Sequence, residues 1–232
     1  MGSIKFTNFA EIIYVRMNIK ALLEQYFKQN TNTTIDAFDM ENIYDVYQRI
    51  IKELSCHFEI EVSVLQGLSY CFYEILDNVL THSEKKSGVA ITNYNPDKSS
   101  LGVLIADDGI GIWKSLRKNE KFIAITEEEA LKSCINDKVT DGKGMGFGLY
   151  STSILAKKAA MEFEIRSGES KLYLKNGEII VEPDSYWQGT IVFMKLYTNN
   201  VINPNEIVAY RTDCAAQYNE SFIDNENLEK LW

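Results

Sequence analysis

The sequence predicts a two-layer α/β sandwich of the α+β kind, in which helices pack on one face of a mixed β-sheet. Three observations lead to this fold class: helix-like segments come first, a strand–turn–strand unit lies in the middle, and a strand meander follows one further apolar helix. Because helices and strands do not alternate regularly along the chain, a doubly wound parallel sheet is not expected.

The helices of the first third are predicted from apolar spacing. Residues 8–29 form an amphipathic helical segment, and residues 28–34 (KQNTNTT) are a polar break. The next segment begins with a short strand and continues as a helix from about Met40. A second helix covers about 62–83. In the first of these two helices, apolar residues recur at helical spacing at Ile43, Val46, Ile50 and Leu54.

The strands are predicted from apolar runs bounded by turn residues. The stretch GVAITNYNPDKSSLGVLIADDGIGI predicts strand, turn and strand, with the turn at 93–100. A charged, mostly helical segment at 113–141 and a glycine-rich run (DGKGMGFGLY, 141–150) separate it from an apolar helix. The meander that follows contains Asn176-Gly177, a pair that suits a tight hairpin because both positions tolerate positive φ.

Composition and charge limit the domain count and the function classes. With 232 residues and 45% hydrophobic content, the chain has material for one domain with extensions. We expect a helical extension at 1–35, the main domain at 36–198 and a polar, acidic extension at 199–232. A net charge of −9 argues against nucleic-acid binding.

No targeting or membrane segment is evident in the sequence. No apolar run approaches the ~20 residues of a membrane span, and the N-terminus lacks the layout of a signal peptide. We therefore expect a cytoplasmic protein that does not enter membranes. The four cysteines form no CxxC pair, so reduced thiols are expected rather than disulfides or a zinc site.

A polar stripe interrupts the apolar helix at 62–83. Glu74, Asn78 and His82 are spaced four residues apart, and each step rotates about 400°, so the stripe drifts by only ~40° per step. Three functional groups therefore follow one edge of the helix. The alternative is that these side chains simply face water.

The stretch DDGIGI (107–112) ends an apolar strand with a carboxylate. Asp107 can accept a hydrogen bond from an exocyclic amine such as that of adenine, and Gly109 and Gly111 let the backbone pass close to a flat ligand. The alternative is a turn in which Asp107 caps a backbone amide.

Glycines at 142, 144, 146 and 148 lead directly into an apolar helix. Such a run exposes backbone N–H groups at a helix N-terminus, where anions bind. It matches neither a P-loop nor a dinucleotide fingerprint, because the glycine spacing and the flanking residues differ. A flexible linker is disfavoured because the following helix is apolar.

The three stretches in this order resemble the motifs of the GHKL ATPase superfamily. That superfamily contains the ATP-binding domains of gyrase-type, heat-shock-chaperone-type, histidine-kinase-type and MutL-type proteins. The resemblance covers roughly residues 36–198, and QGTIVFMKL (188–196) resembles the family's final Gly-Thr strand motif. Each motif alone is weak, but the ordered set is specific.

The resemblance implies ATP and Mg²⁺ as ligands and assigns roles to individual residues. Asn78 would hold Mg²⁺, and Glu74 would be the catalytic general base or an orienting carboxylate. His82 would lie near the phosphates or beneath the lid. Asp107 would bind the adenine amino group, supported by Thr190. Other expected ATP contacts are Gly109, Gly111, Gly142, Lys143, Gly144, Gly146, Gly148 and Leu149.

The resemblance also implies a lid. Residues 113–141 would close over the nucleotide and be mobile without it.

The branch of the superfamily is narrowed by what the sequence lacks. His57 is the only histidine besides His82, and no helical hairpin surrounds it, so a self-contained histidine kinase is not expected. Roughly 34 residues follow position 198, which leaves little room for the second domain of gyrase-like and MutL-like enzymes. The chain resembles stand-alone bacterial members, and its GMGF run (144–147) is similar to that of anti-sigma-factor serine kinases.

The sequence is compatible with several functions. The chain is expected to act with a protein partner, either a small regulatory or substrate protein or a second copy of itself. It would be a protein Ser, Thr or His kinase or a slow ATPase in signalling. The alternative is a non-catalytic, ATP-gated interaction module, and a degenerate fold that binds nothing is the least favoured hypothesis.

Overall fold

A mixed β-sheet lies at the centre of the protein. The computed structural model describes residues 4–7, 17–27, 32–59, 62–142 and 148–197, and for 4–7 and 62–64 it describes the backbone alone. Within these residues the sheet has six strands in the order β1-β2-β3-β4-β6-β5. β1 is parallel to β2, and all other neighbours are antiparallel. The strands are β1 Ile4–Thr7, β2 Thr33–Asp39, β3 Ser87–Asn95, β4 Ser100–Ala106, β5 Glu162–Lys175 and β6 Glu178–Tyr197.

Helices cover both faces of this sheet. Their bounds are α1 Ile19–Tyr26, α2 Ile43–His57, α3 Val62–His82, α4 Gly111–Leu116, α5 Glu127–Ser133 and α6 Gly148–Lys158, with a 3₁₀ turn at Glu120–Phe122. The larger core lies between one face of the sheet and helices α2, α3, α5 and α6. The smaller core lies between the other face and α1. The predicted α/β sandwich with a mixed sheet is confirmed.

Strand β4 shows why both faces of the sheet must be covered by helices. Every residue of β4 is buried, and successive side chains point to opposite faces of the sheet. Leu101, Val103 and Ile105 enter the larger core, whereas Leu104 and Ala106 enter the smaller one. A strand that is apolar on both faces must be covered on both, so the prediction of helices on a single face was incomplete.

Helix α1 supplies the second cover. Ile19, Leu22 and Leu23 of this helix are buried against the sheet, and the Phe27 ring meets Phe193 edge-on at 5.8 Å. Gly102 makes room for this packing, since a Cβ there would lie 2.7 Å from the Phe27 ring. The segment predicted as an extension thus contributes β1, α1 and the start of β2 to the sheet and its core.

The other predicted elements are placed with small differences in their bounds. The β3–β4 turn is shorter than predicted, because the strands continue to Asn95 and resume at Ser100. The hairpin turn at Asn176-Gly177 is confirmed, with φ of 52° and 80°. Residues 8–16 of the helix predicted at 8–29, and the predicted C-terminal extension at 199–232, lie outside the described residues.

Shortening a buried side chain of α1 tests its place in the core. We expect Leu23→Ala to lower the free energy of unfolding by roughly 2–5 kcal/mol, because Leu23 is 1% exposed and its removal leaves a cavity. The measurement is urea denaturation of the full chain. Glu24→Ala, on the exposed side of the same helix, is the matched control and should change stability by less than about 0.5 kcal/mol. Equal effects of the two variants would show that α1 does not cover the sheet.

Candidate functional site

A cavity of about 230 Å³ lies between α3, the segment around α4 and α5, the start of α6, the end of β4 and the interior of β6. Ile105, Ile112 and Val192 are among the apolar residues of its wall. Most of its polar residues come from the three stretches singled out in the sequence, and the others come from the predicted lid segment and from β6. The cavity wall thus combines apolar side chains with several convergent polar groups, a combination that suits a small-molecule site.

The polar stripe of α3 lines this cavity. Glu74, Asn78 and His82 all contribute to its wall, so the alternative that they simply face water is wrong. The first residue of α6, Gly148, lies directly against the stripe, since a Cβ there would be 3.0 Å from Glu74 Oε2 and 3.3 Å from Asn78 Nδ2. A side chain at Gly148 would fill the space next to both groups.

Glu74 titrates near neutral pH. Burial and, to a smaller extent, the nearby Asp77 carboxylate raise its pKa to about 7, against the opposing effect of a hydrogen bond with Tyr70. A carboxyl group with this pKa can take up or release a proton at physiological pH.

Asp107 lines the cavity and is 2% exposed, and the part of the cavity next to this buried residue is named the inner end. Gly109 N–H donates to its Oδ1 at 2.8 Å, and its own N–H donates to the Thr190 carbonyl at 2.9 Å. The Trp187 indole N–H donates to the Asp107 carbonyl at 3.0 Å. The turn-capping role weighed in the sequence is thus confirmed for Oδ1, and the side chain also faces the cavity.

Burial also perturbs the Asp107 carboxyl. Loss of solvent raises its pKa to about 7, even though backbone hydrogen bonds from Gly109 and Thr190 act in the opposite direction. Asp108 raises the pKa a little, and Lys85 lowers it. Near neutral pH the inner end of the cavity therefore holds a carboxyl group that readily changes its charge.

Close backbone packing places Asp107. Gly189 has φ +95°, and a Cβ there would lie 2.2 Å from the Asp107 carbonyl oxygen. Gly111 has φ +75° and faces Ser167, whose hydroxyl donates to the Gly189 carbonyl at 2.8 Å and accepts from Ile112 N–H at 2.9 Å. Sequence reasoning missed Gly189 and Ser167, although Gly189 stands in the QGT motif.

The predicted lid segment forms one wall of the cavity. Its helix α5 begins with a capping box between Thr126 and Glu129, and the Glu127 carboxylate accepts a hydrogen bond from Glu169 N–H of β5 at 2.5 Å. The mobility of this segment without nucleotide stays a prediction. Residues of the segment that line the cavity are Ser115, Leu116, Cys134, Val139, Thr140 and Asp141.

A buried carboxylate joins this wall to the polar stripe. Asp141 Oδ2 lies 2.9 Å from His82 Nδ1 and accepts from the Ser115 hydroxyl at 3.0 Å. Neither Asp141 nor Ser115 was singled out in the sequence. The position of Asp141 directly before the glycine-rich run is the one local signal that could have found it.

Most of the predicted ATP contacts come together at the cavity. Gly109 stands beside Asp107, and Gly142, with φ +100°, follows Asp141. Lys143, Gly144 and Gly146 lie outside the described residues. The predicted residues that line the cavity are Glu74, Asn78, His82, Asp107, Gly111, Gly148, Leu149 and Thr190.

The family of the chain is shown by comparison with known proteins. The family model described as histidine kinase-, DNA gyrase B-, and HSP90-like ATPase matches residues 64–197, which is 134 of the 232 residues. The chain belongs to this family of ATP-binding domains. The predicted resemblance to the GHKL superfamily is confirmed, whereas the narrower likeness to anti-sigma-factor kinases stays a hypothesis.

No curated protein matches the chain. Across the part of the chain that the structure describes, no helix is both long and apolar enough to cross a membrane.

The raised pKa of Asp107 predicts that the difference in stability between wild type and Asp107→Asn depends on pH. Between about pH 4 and pH 7 the folded carboxyl keeps a proton that the unfolded chain has lost, so stability falls as pH rises through this window. Asp107→Asn removes this loss, and an amide oxygen can still accept from Gly109. We expect the variant to melt at a higher temperature than wild type, by a larger margin at pH 8 than at pH 5.

Thermal denaturation of the ligand-free chain at both pH values measures this difference. Asp97→Asn, at an exposed position in the β3–β4 turn, is the matched control and should show no such trend. A margin that is the same at both pH values would mean that Asp107 is not held in its neutral form by burial.

Proposed function

We propose that this protein binds Mg·ATP in the cavity and works with a protein partner in signalling, as a protein kinase or a slow ATPase. The family implies ATP binding. The observation that carries the proposal is the pairing, within one cavity, of a buried carboxylate at the inner end with the polar stripe along α3.

The inner end of the cavity suits adenine. In its ionised form Asp107 only accepts hydrogen bonds, so it matches the exocyclic amine of adenine. Guanine carries a carbonyl oxygen at the corresponding position and would place two acceptors together. We therefore infer a preference for ATP over GTP that resides in Asp107.

The polar stripe suits the phosphates and a magnesium ion. The described residues contain no cluster of three or more His, Cys, Asp or Glu side chains that could hold a metal alone. This fits Mg²⁺, which keeps waters and takes phosphate oxygens with only one or two protein ligands. Asn78 is the proposed protein ligand. When bound, Mg²⁺ would offset the negative charge of the phosphates.

Glu74 is the proposed catalytic group. Its pKa of about 7 lets it accept a proton near neutral pH, and it lies beside Asn78 at the start of α6. Glu74 would orient and deprotonate the attacking group, which is a water in an ATPase and a hydroxyl or imidazole of the partner in a kinase.

A non-catalytic, ATP-gated interaction module is the second candidate. One feature favours it: the segment that lines the cavity with Ser115 and Thr140 also exposes Ile123 on its outer side, with 60% of that residue accessible. A nucleotide that contacts the inner side would change the segment that a partner meets on the outer side.

Nucleotide titration tests the binding site. By calorimetry we expect wild type to bind ATP with Mg²⁺ and to bind GTP at least about tenfold more weakly. Asn78→Ala should lose the dependence of ATP binding on Mg²⁺, because the proposed metal ligand is gone. Asn136→Ala, an exposed position in the lid segment, is the control and should behave as wild type.

Two outcomes would contradict these assignments. Tight, Mg²⁺-dependent ATP binding by Asn78→Ala would exclude Asn78 as the metal ligand. Equal affinities of wild type for ATP and GTP would exclude adenine recognition by Asp107.

The fate of the terminal phosphate separates catalysis from gating. With γ-labelled ATP and Mg²⁺, an ATPase releases labelled phosphate, and Glu74→Gln should slow the release by about 100-fold or more. The wild-type rate should rise with pH through about 7, as the Glu74 carboxyl ionises. Glu41→Gln, at an exposed position before α2, should leave the rate unchanged.

If the label stays on ATP in both wild type and Glu74→Gln, the chain alone is not an ATPase. The gated module, or a kinase that needs its partner, then becomes the better hypothesis. Release that Glu74→Gln does not slow would remove Glu74 from the catalytic role.

A further inference from the structure

Three polar side chains from separate elements meet at one wall of the cavity. His82 ends α3, Ser115 lies in α4, and Asp141 precedes the glycine-rich run. The side chain of Asp141 is 1% exposed, whereas that of His82 is 26% exposed. The carboxylate is thus fully enclosed, and the imidazole ring is the member of the group that a ligand in the cavity can reach.

We propose that Asp141 is a positioning residue that orients His82 towards the phosphates of the bound nucleotide. This inference rests on the proposed function, because it assumes that ATP occupies the cavity. Its basis is the 2.9 Å contact between Asp141 Oδ2 and His82 Nδ1, together with the presence of both residues in the cavity wall.

The chemistry of the contact assigns the two ring nitrogens. A carboxylate oxygen only accepts, so Nδ1 of His82 carries the hydrogen that points to Asp141. Nε2 is then the nitrogen left to meet a ligand. In the charged form of the ring, Nε2–H donates to a phosphate oxygen while Nδ1–H stays on Asp141. A carboxylate partner of this kind sets both the tautomer and the ring orientation.

Asp141 is the last residue of the lid segment, and it also contacts an earlier part of that segment. Ser115 Oγ donates to the oxygen that His82 contacts, at 3.0 Å, and Asn119 Nδ2 donates to the Thr140 carbonyl at 3.1 Å. Gly142, the next residue, has φ +100° where the chain enters the glycine-rich run. Three consecutive residues, Thr140, Asp141 and Gly142, therefore connect the lid segment, the His82 ring and the start of the glycine-rich run.

A double-mutant cycle with two ligands tests the inference. The affinities of the full chain for ATP and for adenosine are measured by calorimetry in wild type, Asp141→Asn, His82→Gln and the double variant. We expect Asp141→Asn to weaken ATP binding about tenfold and to leave adenosine binding unchanged. In the His82→Gln background the same substitution should cost no further ATP affinity, because Asp141 acts through the histidine.

A matched variant separates the two contacts of Asp141. Ser115→Ala removes the hydroxyl but keeps the contact between Asp141 and His82, so its loss of ATP affinity should be smaller than that of Asp141→Asn. Adenosine binding reports in each variant that the fold and the inner end of the cavity are intact.

The histidine ring can also be observed directly. The sequence contains only two histidines, so ¹⁵N spectra of the imidazole rings are simple, and His57→Gln assigns them. We expect His82 to carry its hydrogen on Nδ1 in the nucleotide-free wild type and to lose this preference in Asp141→Asn. A hydrogen on Nε2 alone in wild type would overturn the inference.

The remaining outcomes distinguish this inference from the proposed function. If wild type does not bind ATP, the proposed function fails and the phosphate role of His82 fails with it. If wild type binds ATP but Asp141→Asn binds it equally well, only the inference is overturned. It is also overturned if ATP and adenosine lose affinity equally, or if the loss persists in the His82→Gln background, since either result indicates a purely structural role.

Discussion

The burial of β4 on both faces is the constraint on which the site depends. Its side chains fill two cores, so the strand is shielded from solvent along its whole length, by the larger core with α3 on one face and by α1 on the other. Asp107 is the residue directly after this buried strand, and it is desolvated for that reason. The raised pKa of its carboxyl is therefore mainly a consequence of sheet architecture, and the neighbouring Asp108 charge contributes less.

Helix α3 has to satisfy two demands at once. Leu68, Phe72 and Leu76 bury one face of the helix completely in the larger core. The edge with Glu74 and Asn78 is kept out of that core but is covered by the start of α6, which packs there because Gly148 has no side chain. Polar groups on the border between core and cavity are partly desolvated, and this is what makes the Glu74 carboxyl titrate near pH 7.

Acidic groups surround the cavity although each is costly to bury. Glu74, Asp107 and Asp141 are among the residues that line it, and no Lys or Arg of the described residues does. An uncompensated buried carboxyl lowers stability, so such groups persist where a ligand or a hydrogen-bond network uses them. Asp141 is satisfied by His82 and Ser115, and Asp107 is satisfied in part by the Gly109 amide. The three carboxyls thus differ in partner, which is how one small cavity can hold groups with different roles.

The sequence by itself determined the elements that local periodicity and residue type specify. It predicted the helix that carries Glu74, Asn78 and His82, the strand that ends at Asp107 and the order of motifs that defines the family. It also predicted that Asn176-Gly177 is a hairpin turn, because positive φ at both positions is a property of the residues themselves. These features depend on interactions within a few residues of each other.

Only the tertiary structure decided which distant groups meet. His82 and Asp141 are 59 residues apart in the chain, and nothing in either local stretch indicates their contact. The same is true of Gly189 against the Asp107 carbonyl and of α1 on the second face of the sheet. Such contacts are set by how the sheet orders its strands and by which faces remain apolar, and that order is a property of the whole chain. The local sequence therefore supplied the functional groups, and the packing of β4, α3 and α6 brought them to one cavity.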